Sequence, residues 1–499
     1  MNGAPPLPPE AGASVRRLFA RDPGLWGGDR RTPELADRLG WLDAPARSRV
    51  LVPQLVALAD EVRRDGITRV VLLGMGGSSL APEVFWRTFG GRAGWPALLV
   101  LDTTHPDAVA AVGDDPALVT TLFLVSSKSG TTIETGSLCA YFWERTGGNA
   151  RQFAAITDPG TPLERLARER GFRRVFAGEP DVGGRFSALT AFGLVPAALT
   201  GVDVGEVLAR AERAVAVCRA EPPASNPGLE LGAFMADSWR AGRDKLTLRT
   251  APPFGSFGVW AEQLVAESTG KGGRGIVPIV DEPAGLLDGR DRAYVGLAAR
   301  ESADLGAEFY RWEVATALAG AWMRLNPFDQ PNVAESKKNT ELLLKRLAAG
   351  DAVEPAAALA DLPRALAPWA ASIRPGDYVA LLAWVPPAPA HDAALARMRA
   401  AIARARGVAT TAGYGPRFLH STGQLHKGGA DSGVFLQVEA EPQRDLAVPG
   451  AEHSFGRLIA AQALGDYRAL KARGRRVLRV RVGAGEVTAV ADALEAALG

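Results

Sequence analysis

The sequence predicts an α/β protein built from doubly wound, mainly parallel sheets. Short apolar runs alternate with longer amphipathic segments along most of the chain. Two of these runs, RVVLLGM and TLFLVSS, lead directly into turns that are rich in glycine and hydroxyl side chains. Strands that alternate with helices at this spacing form parallel sheets with helices on both faces.

The first alternation is predicted to form a domain over residues 51–200, preceded by an N-terminal capping segment over residues 1–50. Its strands are expected at RVVLLGM, PALLVLD, TLFLVSS, QFAAIT and RRVFAG. Its helices are expected over residues 51–65, 80–90, 106–113, 132–146 and 161–170.

A second domain, with a C-terminal extension, is predicted over residues 225–499. Its strands are expected at KLTLRTA, GIVPIVD, DYVALLAWV, VATTAGYG, GVFLQVEA and RVLRVRV. Helices are expected over residues 226–241, 256–268, 307–324, 391–406 and 453–472, and again at the C-terminus. The later strands either complete the second sheet or build a third domain. Because residues 243–282 supply too few strands for a stable sheet, we favour completion of the second sheet.

Composition points to a globular protein that can bury large apolar cores. The 499 residues are 47% hydrophobic and 22% charged, and the formal net charge is only +2. This balance gives no general attraction to nucleic acid or to a membrane. No apolar segment predicts a membrane span or a signal peptide, and Cys139 and Cys218 read as buried thiols. We therefore expect a cytoplasmic enzyme.

Two turns predict a phosphate site. The sequences GMGGSS, beginning at Gly74, and SSKSGTT, beginning at Ser126, each follow a predicted strand and open a helix. Such turns aim backbone N–H groups and hydroxyls at one anion. The second turn carries five hydroxyls and a single cation, Lys128, which favours a phosphomonoester over a triphosphate with its metal.

Other interpretations of these turns remain open. A nucleotide P-loop would end in Gly-Lys-Ser or Gly-Lys-Thr, which neither turn contains. Gly74 and Gly76 begin a dinucleotide fingerprint, but Ser79 stands where its third glycine belongs. Taken singly, each turn is also consistent with a tight connection between a strand and a helix.

Three residues are candidates for acid–base or electrostatic chemistry. Glu267 stands where a helix gives way to a glycine-rich loop, one turn after Gln263, and burial there would suit a general base. Arg185 follows two glycines, where it either caps a turn or stabilises developing negative charge. His420 lies in a glycine-rich polar loop. Each also has an ordinary structural interpretation, and the histidine spacing predicts no metal site.

The six motifs together resemble the signatures of one family. They are GMGGSSLAPEVF, SSKSGTTIET, VGGRFSALTAFGL, AESTGKGGRG, NPFDQPNVAESKK and HSTGQLHKGG. These segments resemble phosphoglucose isomerases, whose paired SIS (sugar isomerase) domains bind sugar phosphates. More narrowly, the chain resembles the isomerase half of bacterial transaldolase/glucose-6-phosphate isomerase fusion proteins. The resemblance covers about residues 20–480.

The resemblance implies an isomerase that interconverts glucose 6-phosphate and fructose 6-phosphate through a cis-enediolate, in glycolysis and gluconeogenesis, without metal or organic cofactor. Glu267 would move the proton between C1 and C2, and His420 would assist ring opening. Arg185 would stabilise the enediolate. Lys337 would be a fourth catalytic residue. The implied substrate-binding residues are Gly77, Ser78, Ser127, Lys128, Ser129, Thr132, Glu134, Gln263 and Gln330.

The chain departs from the family pattern in two ways. The lysine motif normally reads D-Q-x-G-V-E, but Asn332 and Ala334 replace its glycine and glutamate, and Glu335 stands one place late. The lysine segment also precedes the histidine segment, which indicates a permuted second domain. In typical relatives the histidine comes from the neighbouring subunit, so we expect a homodimer, with an in-cis histidine as the alternative.

Three rival functions stay open. An isomerase of broader scope would also accept mannose 6-phosphate, because phosphate anchoring does not read the configuration at C2. A non-catalytic SIS regulator would bind the sugar phosphate without turnover, although it would have no reason to retain the four catalytic candidates together. An oxidoreductase that binds a dinucleotide is the least favoured of the three alternatives.

Overall fold

The computed structural model describes residues 10–220, 226–282, 289–297, 301–332, 340, 342–346 and 354–499. Their strands form three sheets of five, four and three strands, and every pair of neighbouring strands is parallel. Helices cover the sheets, so the predicted α/β class is confirmed.

The five-stranded sheet has the order β2-β1-β3-β4-β5. Its strands are β1 (Arg69–Leu73), β2 (Ala97–Leu101), β3 (Thr121–Ser126), β4 (Phe153–Thr157) and β5 (Arg174–Ala177). Leu73 at the end of β1 pairs with Leu101 of β2 and with Val125 of β3. The register therefore brings the turns that follow β1 and β3 to the same edge of the sheet.

The helices of the first half confirm the predicted alternation, because each predicted helix is observed within one residue of its expected ends. They are α1 (Ala11–Phe19), α2 (Ala44–Arg47), α3 (Val52–Arg64), α4 (Leu80–Phe89), α5 (Pro106–Gly113), α6 (Ile133–Arg145), α7 (Pro162–Glu169) and α8 (Ala191–Leu199). Helices α3, α5 and α7 each have a proline in the first turn. Backbone N–H groups there have no acceptor within the helix, so proline costs no hydrogen bond at this position.

The remaining strands form two hydrogen-bonded sheets, which corrects the expectation that they complete one. The order β7-β6-β8 joins three strands and β10-β9-β11-β12 joins four. The strands are β6 (Lys245–Arg249), β7 (Val277–Ile279), β8 (Arg292–Gly296), β9 (Tyr378–Trp384), β10 (Ala409–Tyr414), β11 (Gly433–Ala440) and β12 (Arg476–Val482).

The break between these sheets has a local cause in β7. This strand has only three residues, and its central residue, Pro278, has no N–H to donate to a ladder. Val277 and Ile279 nevertheless share an apolar cluster with Tyr378 of β9 and Ala409 of β10. The two sheets therefore pack against one core without a continuous hydrogen-bonded ladder between them in the described residues.

The helices of the second half cover these sheets. They are α9 (Val204–Arg219), α10 (Pro227–Arg240), α11 (Gly258–Thr269), α12 (Leu305–Trp322), α13 (Leu362–Ala371), α14 (Pro389–Arg406), α15 (Gly423–Gly428), α16 (Phe455–Ala472) and α17 (Val487–Leu498). Within the described ranges, no helix combines the length and apolar character that a bilayer span requires.

Helix α12 buries a carboxyl group in the apolar core, and this predicts a pH dependence of stability. Glu313 is only 1% exposed, and its Oε1 has no hydrogen-bond partner. Burial raises the pKa of Glu313 well above its usual range. The folded state therefore keeps a proton that the unfolded state releases as pH rises, so this group lowers stability toward alkaline pH.

We expect the substitution Glu313→Gln to remove this part of the pH dependence. Glutamine keeps the shape and stays neutral, so the stability of the variant relative to wild type should rise as pH increases above about 5, where glutamate ionises in the unfolded chain. Thermal unfolding midpoints of both proteins across this range measure the difference. A constant difference between the two midpoints would show that Glu313 ionises equally in both states.

Candidate active site

A cavity of about 320 Å³ opens where the carboxyl ends of β1 and β3 face helix α11. Ten of the residues singled out in the sequence line it: Gly77, Ser78, Lys128, Ser129, Thr132, Arg185, Gln263, Glu267, Gln330 and His420. Ser127 and Glu134 lie behind this wall and contact residues that form it. Lys337 lies outside the described residues.

The first turn packs closely against the rest of the site. Residues 76–78 form a single 3₁₀ turn after β1, and Gly76 has a φ of +53°, which favours glycine. A Cβ atom on Gly77 would overlap the carbonyl group of Gly184. The backbone of Gly77 thus lies directly against the backbone of Gly184, the residue before Arg185. This contact leaves no room for a side chain at position 77.

The second turn presents hydroxyl groups at the start of α6. Thr132 stands at the N-cap position, and its hydroxyl accepts a hydrogen bond from Ser127 Oγ at 3.0 Å. Ser129 lines the cavity beside it, and the helix of 13 residues directs its N-terminal dipole at the same place. The arrangement suits an anion that accepts several hydrogen bonds.

Lys128 is paired within the protein. Its Nζ donates to Asp158 Oδ2 and to the carbonyl oxygen of Glu179, each at 2.7 Å. Burial lowers the pKa of Lys128, and the Asp158 carboxylate partly offsets this effect. The ammonium group therefore fixes the turn to β4 and the segment after β5, while the residue still forms part of the cavity wall.

Glu267 is a buried carboxyl group on α11, with only 3% of its surface exposed. Gln263, one turn earlier, donates from Nε2 to Glu267 Oε2 at 3.0 Å, and Arg185 Nη1 lies 3.5 Å from the same oxygen. Burial raises the pKa of Glu267, and the Arg185 charge offsets only part of this rise. A carboxyl group with a raised pKa is suited to both accepting and returning a proton.

Arg185 connects Glu267 to the segment that carries Gln330. Its Nε donates to Ser268 Oγ at 2.9 Å, and its Nη1 donates to Gln330 Oε1 at 3.0 Å. Its Nη2 donates to the carbonyl oxygens of Pro327 and Asp329 at 2.6 and 3.0 Å. Although burial lowers the pKa of Arg185, guanidinium groups stay protonated in proteins. The site therefore holds a fixed positive charge beside Glu267.

Lys271 is a second buried cation that sequence reasoning missed. Its Nζ donates to the carbonyl oxygens of Asn326 and Asp329, at 2.8 and 2.7 Å, and to Asp329 Oδ1 at 2.6 Å. Burial lowers the pKa of Lys271 to about 8. Lys271 and Arg185 thus both hold the segment of residues 326–330 against the end of α11. The glycine-rich loop after Glu267 was the available signal for this residue.

His420 reaches the cavity from the same chain. It ends a 3₁₀ turn, Arg417–His420, and its Nε2 lies 2.9 Å from Glu134 Oε1. Its carbonyl oxygen accepts from Gln263 Nε2 at 2.7 Å. The side chain and the backbone of His420 are therefore both tied to residues of its own chain, which favours the in-cis alternative over a histidine from a neighbouring subunit.

A buried ion cluster supports the histidine turn. Arg417 pairs with Glu83 at 2.7 Å and with Asp102 at 2.6 Å, and Asp102 also accepts from Ser79 Oγ at 3.2 Å. The cluster fastens the histidine turn to the end of β2 and the start of α4. No local pattern marked Arg417, because its partners lie more than three hundred residues away in sequence.

The cavity also contains residues that the sequence analysis did not select: Glu34, Arg38, Met75, Asp158, Gly183, Gly184 and Phe328. Asp158 had a usable signal, because it directly follows β4 at the same sheet edge as the two turns. Glu34 and Arg38 had none, since they come from the segment between α1 and α2, which has little regular structure.

Subunit mixing tests where His420 acts. We expect a mixture of the His420→Ala and Glu267→Gln proteins to recover no activity after subunit exchange, because each cavity takes both residues from one chain. Exchange is verified with subunits that carry two different affinity tags, and catalytic activity is then measured on the mixed assembly. Activity above that of the separate variants would mean that a neighbouring subunit supplies the histidine.

Comparisons with known proteins match a large part of the chain to glucose-6-phosphate isomerases. Residues 61–246 match the family model described as phosphoglucose isomerase. The glucose-6-phosphate isomerase of Rubrobacter xylanophilus is 28% identical over 422 residues, which covers 65% of this chain and 96% of that protein. The glucose-6-phosphate isomerase of Citrifermentans bemidjiense is 37% identical over 214 residues, which covers 41% of this chain and 40% of the relative's length.

A solved structure supports the fold. The glucose-6-phosphate isomerase from Chlamydia trachomatis superposes with a TM-score of 0.54 at 19% identity, covering 68% of this chain and 84% of that chain. At this identity the likeness concerns the fold alone. The family match includes β1 to β5 and both hydroxyl-rich turns. The chain is therefore similar to phosphoglucose isomerases, most directly over residues 61–246.

Proposed function

We propose that this protein interconverts glucose 6-phosphate and fructose 6-phosphate through a cis-enediolate. One observation carries the proposal: Glu267, Arg185 and His420 line the same cavity as the hydroxyl-rich turn at the start of α6. The arrangement supplies a base, a fixed positive charge, a histidine backed by a carboxylate and a place for phosphate. These are the groups that aldose–ketose isomerisation of a sugar phosphate requires.

In this proposal the phosphate group binds at the two turns. Thr132 and Ser129 offer hydroxyls, and the N-terminus of α6 offers backbone N–H groups. Gly77 and Ser78 close the opposite side. Binding there fixes the sugar so that C1 and C2 point toward α11.

Ring opening is assigned to His420. The C1–O5 bond breaks while a proton is delivered to O5, and the proton of the C1 hydroxyl passes to solvent as the C1 carbonyl forms. His420 delivers the first proton, and the Glu134 carboxylate stabilises the imidazolium that precedes this transfer. Gln330 and Lys337 complete the wall around the open chain, the lysine on the basis of its sequence motif alone.

Isomerisation is assigned to Glu267. The carboxylate removes the proton from C2, the electrons of that C–H bond form the C1–C2 double bond, and the carbonyl electrons move to O1. The Arg185 guanidinium stabilises the resulting negative charge. Glu267 then returns the proton to C1, and the electrons of the C1–C2 double bond form the new C1–H bond. A proton passes from the O2 hydroxyl to O1 through solvent, so that O2 becomes the ketone oxygen and O1 a hydroxyl.

A coupled assay tests the proposed function. Purified protein is supplied with fructose 6-phosphate in the presence of EDTA, and the glucose 6-phosphate formed is measured. We expect turnover under these conditions, because none of the proposed steps uses a metal. A protein that binds fructose 6-phosphate without turnover would instead be a regulator. Absence of both binding and turnover would contradict the assignment of the cavity to sugar phosphates.

The proposal includes an assembly and a compartment. We propose a homodimer, as the family resemblance implies, although the geometry of the site makes no demand for a second chain. Both cysteines are free and buried, which suits the reducing cytoplasm that we propose as the compartment.

Phosphate binding is tested separately at Thr132. The substitution Thr132→Ala should raise KM about tenfold while kcat changes little, because phosphate contacts persist from the bound substrate to the transition state. Ser127→Ala should raise KM less, since Ser127 reaches the cavity only through Thr132. Thr132→Ser, which keeps the hydroxyl, is the matched control. Steady-state kinetics with fructose 6-phosphate provide the measurement, and an unchanged KM in Thr132→Ala would remove this residue from the phosphate site.

A further inference from the structure

A buried polar chain continues behind His420, beyond the residues that line the cavity. Gln462 on α16 donates from Nε2 to Glu134 Oε1 at 2.7 Å, and it accepts at Oε1 from the Thr104 hydroxyl at 2.9 Å. Gln462 is 2% exposed and Thr104 is fully buried. The chain of hydrogen bonds thus runs from the segment after β2, through α16, to the carboxylate that contacts His420.

Glu134 Oε1 is the shared acceptor in this chain. It lies 2.7 Å from the Gln462 amide nitrogen and 2.9 Å from His420 Nε2. An ionised carboxylate only accepts hydrogen bonds, so both nitrogens must donate to it. His420 therefore carries its proton on Nε2 when neutral. Its Nδ1 makes no hydrogen bond with any described residue, and it is the ring nitrogen that remains to exchange a proton.

The surroundings of Gln462 argue against a role in packing alone. Its neighbours Ala461, Ala463 and Leu464 on α16 are buried apolar residues. A buried amide needs all its partners to offset its desolvation, whereas an apolar side chain would need none. The Gln462 amide has two partners, Glu134 and Thr104. Its hydrogen bond to Glu134 joins residues that are 328 positions apart in the sequence.

We propose that Gln462 and Thr104 are positioning residues for His420. Thr104 orients the Gln462 amide, the amide holds the Glu134 carboxylate, and the carboxylate fixes the ring so that Nδ1 faces the substrate. This inference rests on the proposed function, because its kinetic consequence concerns ring opening. Neither residue contacts the cavity, so both act through Glu134.

The central test replaces Gln462 with methionine, which has a similar length and no hydrogen-bonding amide. Loss of one hydrogen bond to a charged group should lower kcat about tenfold while KM stays within about twofold. Thr104→Val should lower kcat by a smaller factor. Thr104→Ser keeps the hydroxyl and should keep wild-type kinetics.

A double substitution separates positioning from general damage. If Gln462 acts through the histidine, His420→Ala combined with Gln462→Met should be no slower than His420→Ala alone. Multiplied losses would overturn the proposal. Gln152→Met is the matched control, because Gln152 is a buried glutamine whose Nε2 bonds two carbonyl oxygens at the opposite end of the first sheet. It should lose stability and keep its kcat.

A spectroscopic measurement tests the same inference without relying on turnover. The chain has five histidines, and the ring N–H signal of His420 is assigned by its loss in His420→Ala. We expect this signal to be protected from solvent exchange in wild type and in Gln152→Met, but to shift and exchange faster in Gln462→Met. An inactive wild type with this response would reject the proposed function alone. An active wild type whose Gln462→Met variant keeps both kcat and signal would reject this inference alone.

Discussion

Replacing Glu267 with glutamine should lower kcat by at least about 10²-fold, the lower range for loss of a general base. Glutamine keeps the size of the side chain and can still hydrogen-bond Gln263 and Arg185, but it cannot accept a proton from carbon. Substrate binding should therefore survive. Both kcat and the exchange of the C2 hydrogen of glucose 6-phosphate with solvent provide the measurement, and the two rates should fall together.

Glu262→Gln is the matched control for this substitution. Glu262 lies on the same helix and lines a different cavity, and burial raises its pKa to about 8. The substitution alters a comparable carboxyl group without touching the proposed chemistry, so kcat should stay near the wild-type value. If Glu267→Gln exchanged the C2 hydrogen at the wild-type rate, another base would be responsible and the proposed mechanism would fail at its central step.

Arg185→Lys should lower kcat by about 10²-fold, which is typical for loss of a donor that stabilises an oxyanion. Lysine keeps the positive charge, but its single nitrogen cannot bond Ser268, Gln330 and the carbonyl oxygens of residues 327 and 329 at once. The segment that carries Gln330 would lose its support. Measured kcat and KM, together with the thermal midpoint, separate the catalytic effect from the loss of stability.

Arg399→Lys is the control for this second prediction. Arg399 is also a buried arginine that donates to carbonyl oxygens, those of Val280, Asp281 and Thr410, but it lies outside the proposed site. Both lysine variants should lower the thermal midpoint, and only Arg185→Lys should lower kcat substantially. Equal kcat values in the two variants would show that the Arg185 guanidinium has no special role in the reaction.

Much of the fold was predictable because its signals are local. The helix expected over residues 106–113 is observed as Pro106–Gly113, where proline starts the helix. Strand β8 was missed, because RAYVG is short and carries a charged residue. Its strand conformation comes from pairing with β6. The predicted completion of the second sheet was wrong for a related reason, since pairing depends on which edges meet and on the proline within β7.

The residues of the candidate site that could be predicted from the sequence are likewise those with a local signal. Glycines and hydroxyls that follow an apolar run indicate an anion site wherever they occur, so the two turns could be selected from the sequence. Glu267 could be selected because a carboxylate at the end of an apolar helix stands out within a few residues. Lys128 showed the limit of such reasoning, because its charge is paired with Asp158, thirty residues away.

The sequence by itself determined the α/β class, the position of the hydroxyl-rich turns and the residue types available for chemistry, since each depends on neighbours along the chain. The tertiary structure decided that His420 meets Glu134 within one chain, 286 positions apart, and that Gln462 supports this contact. It also decided the burial that raises the pKa of Glu267. These properties depend on how distant segments pack, because a pKa and a hydrogen bond follow from distances in space and not from separation in sequence.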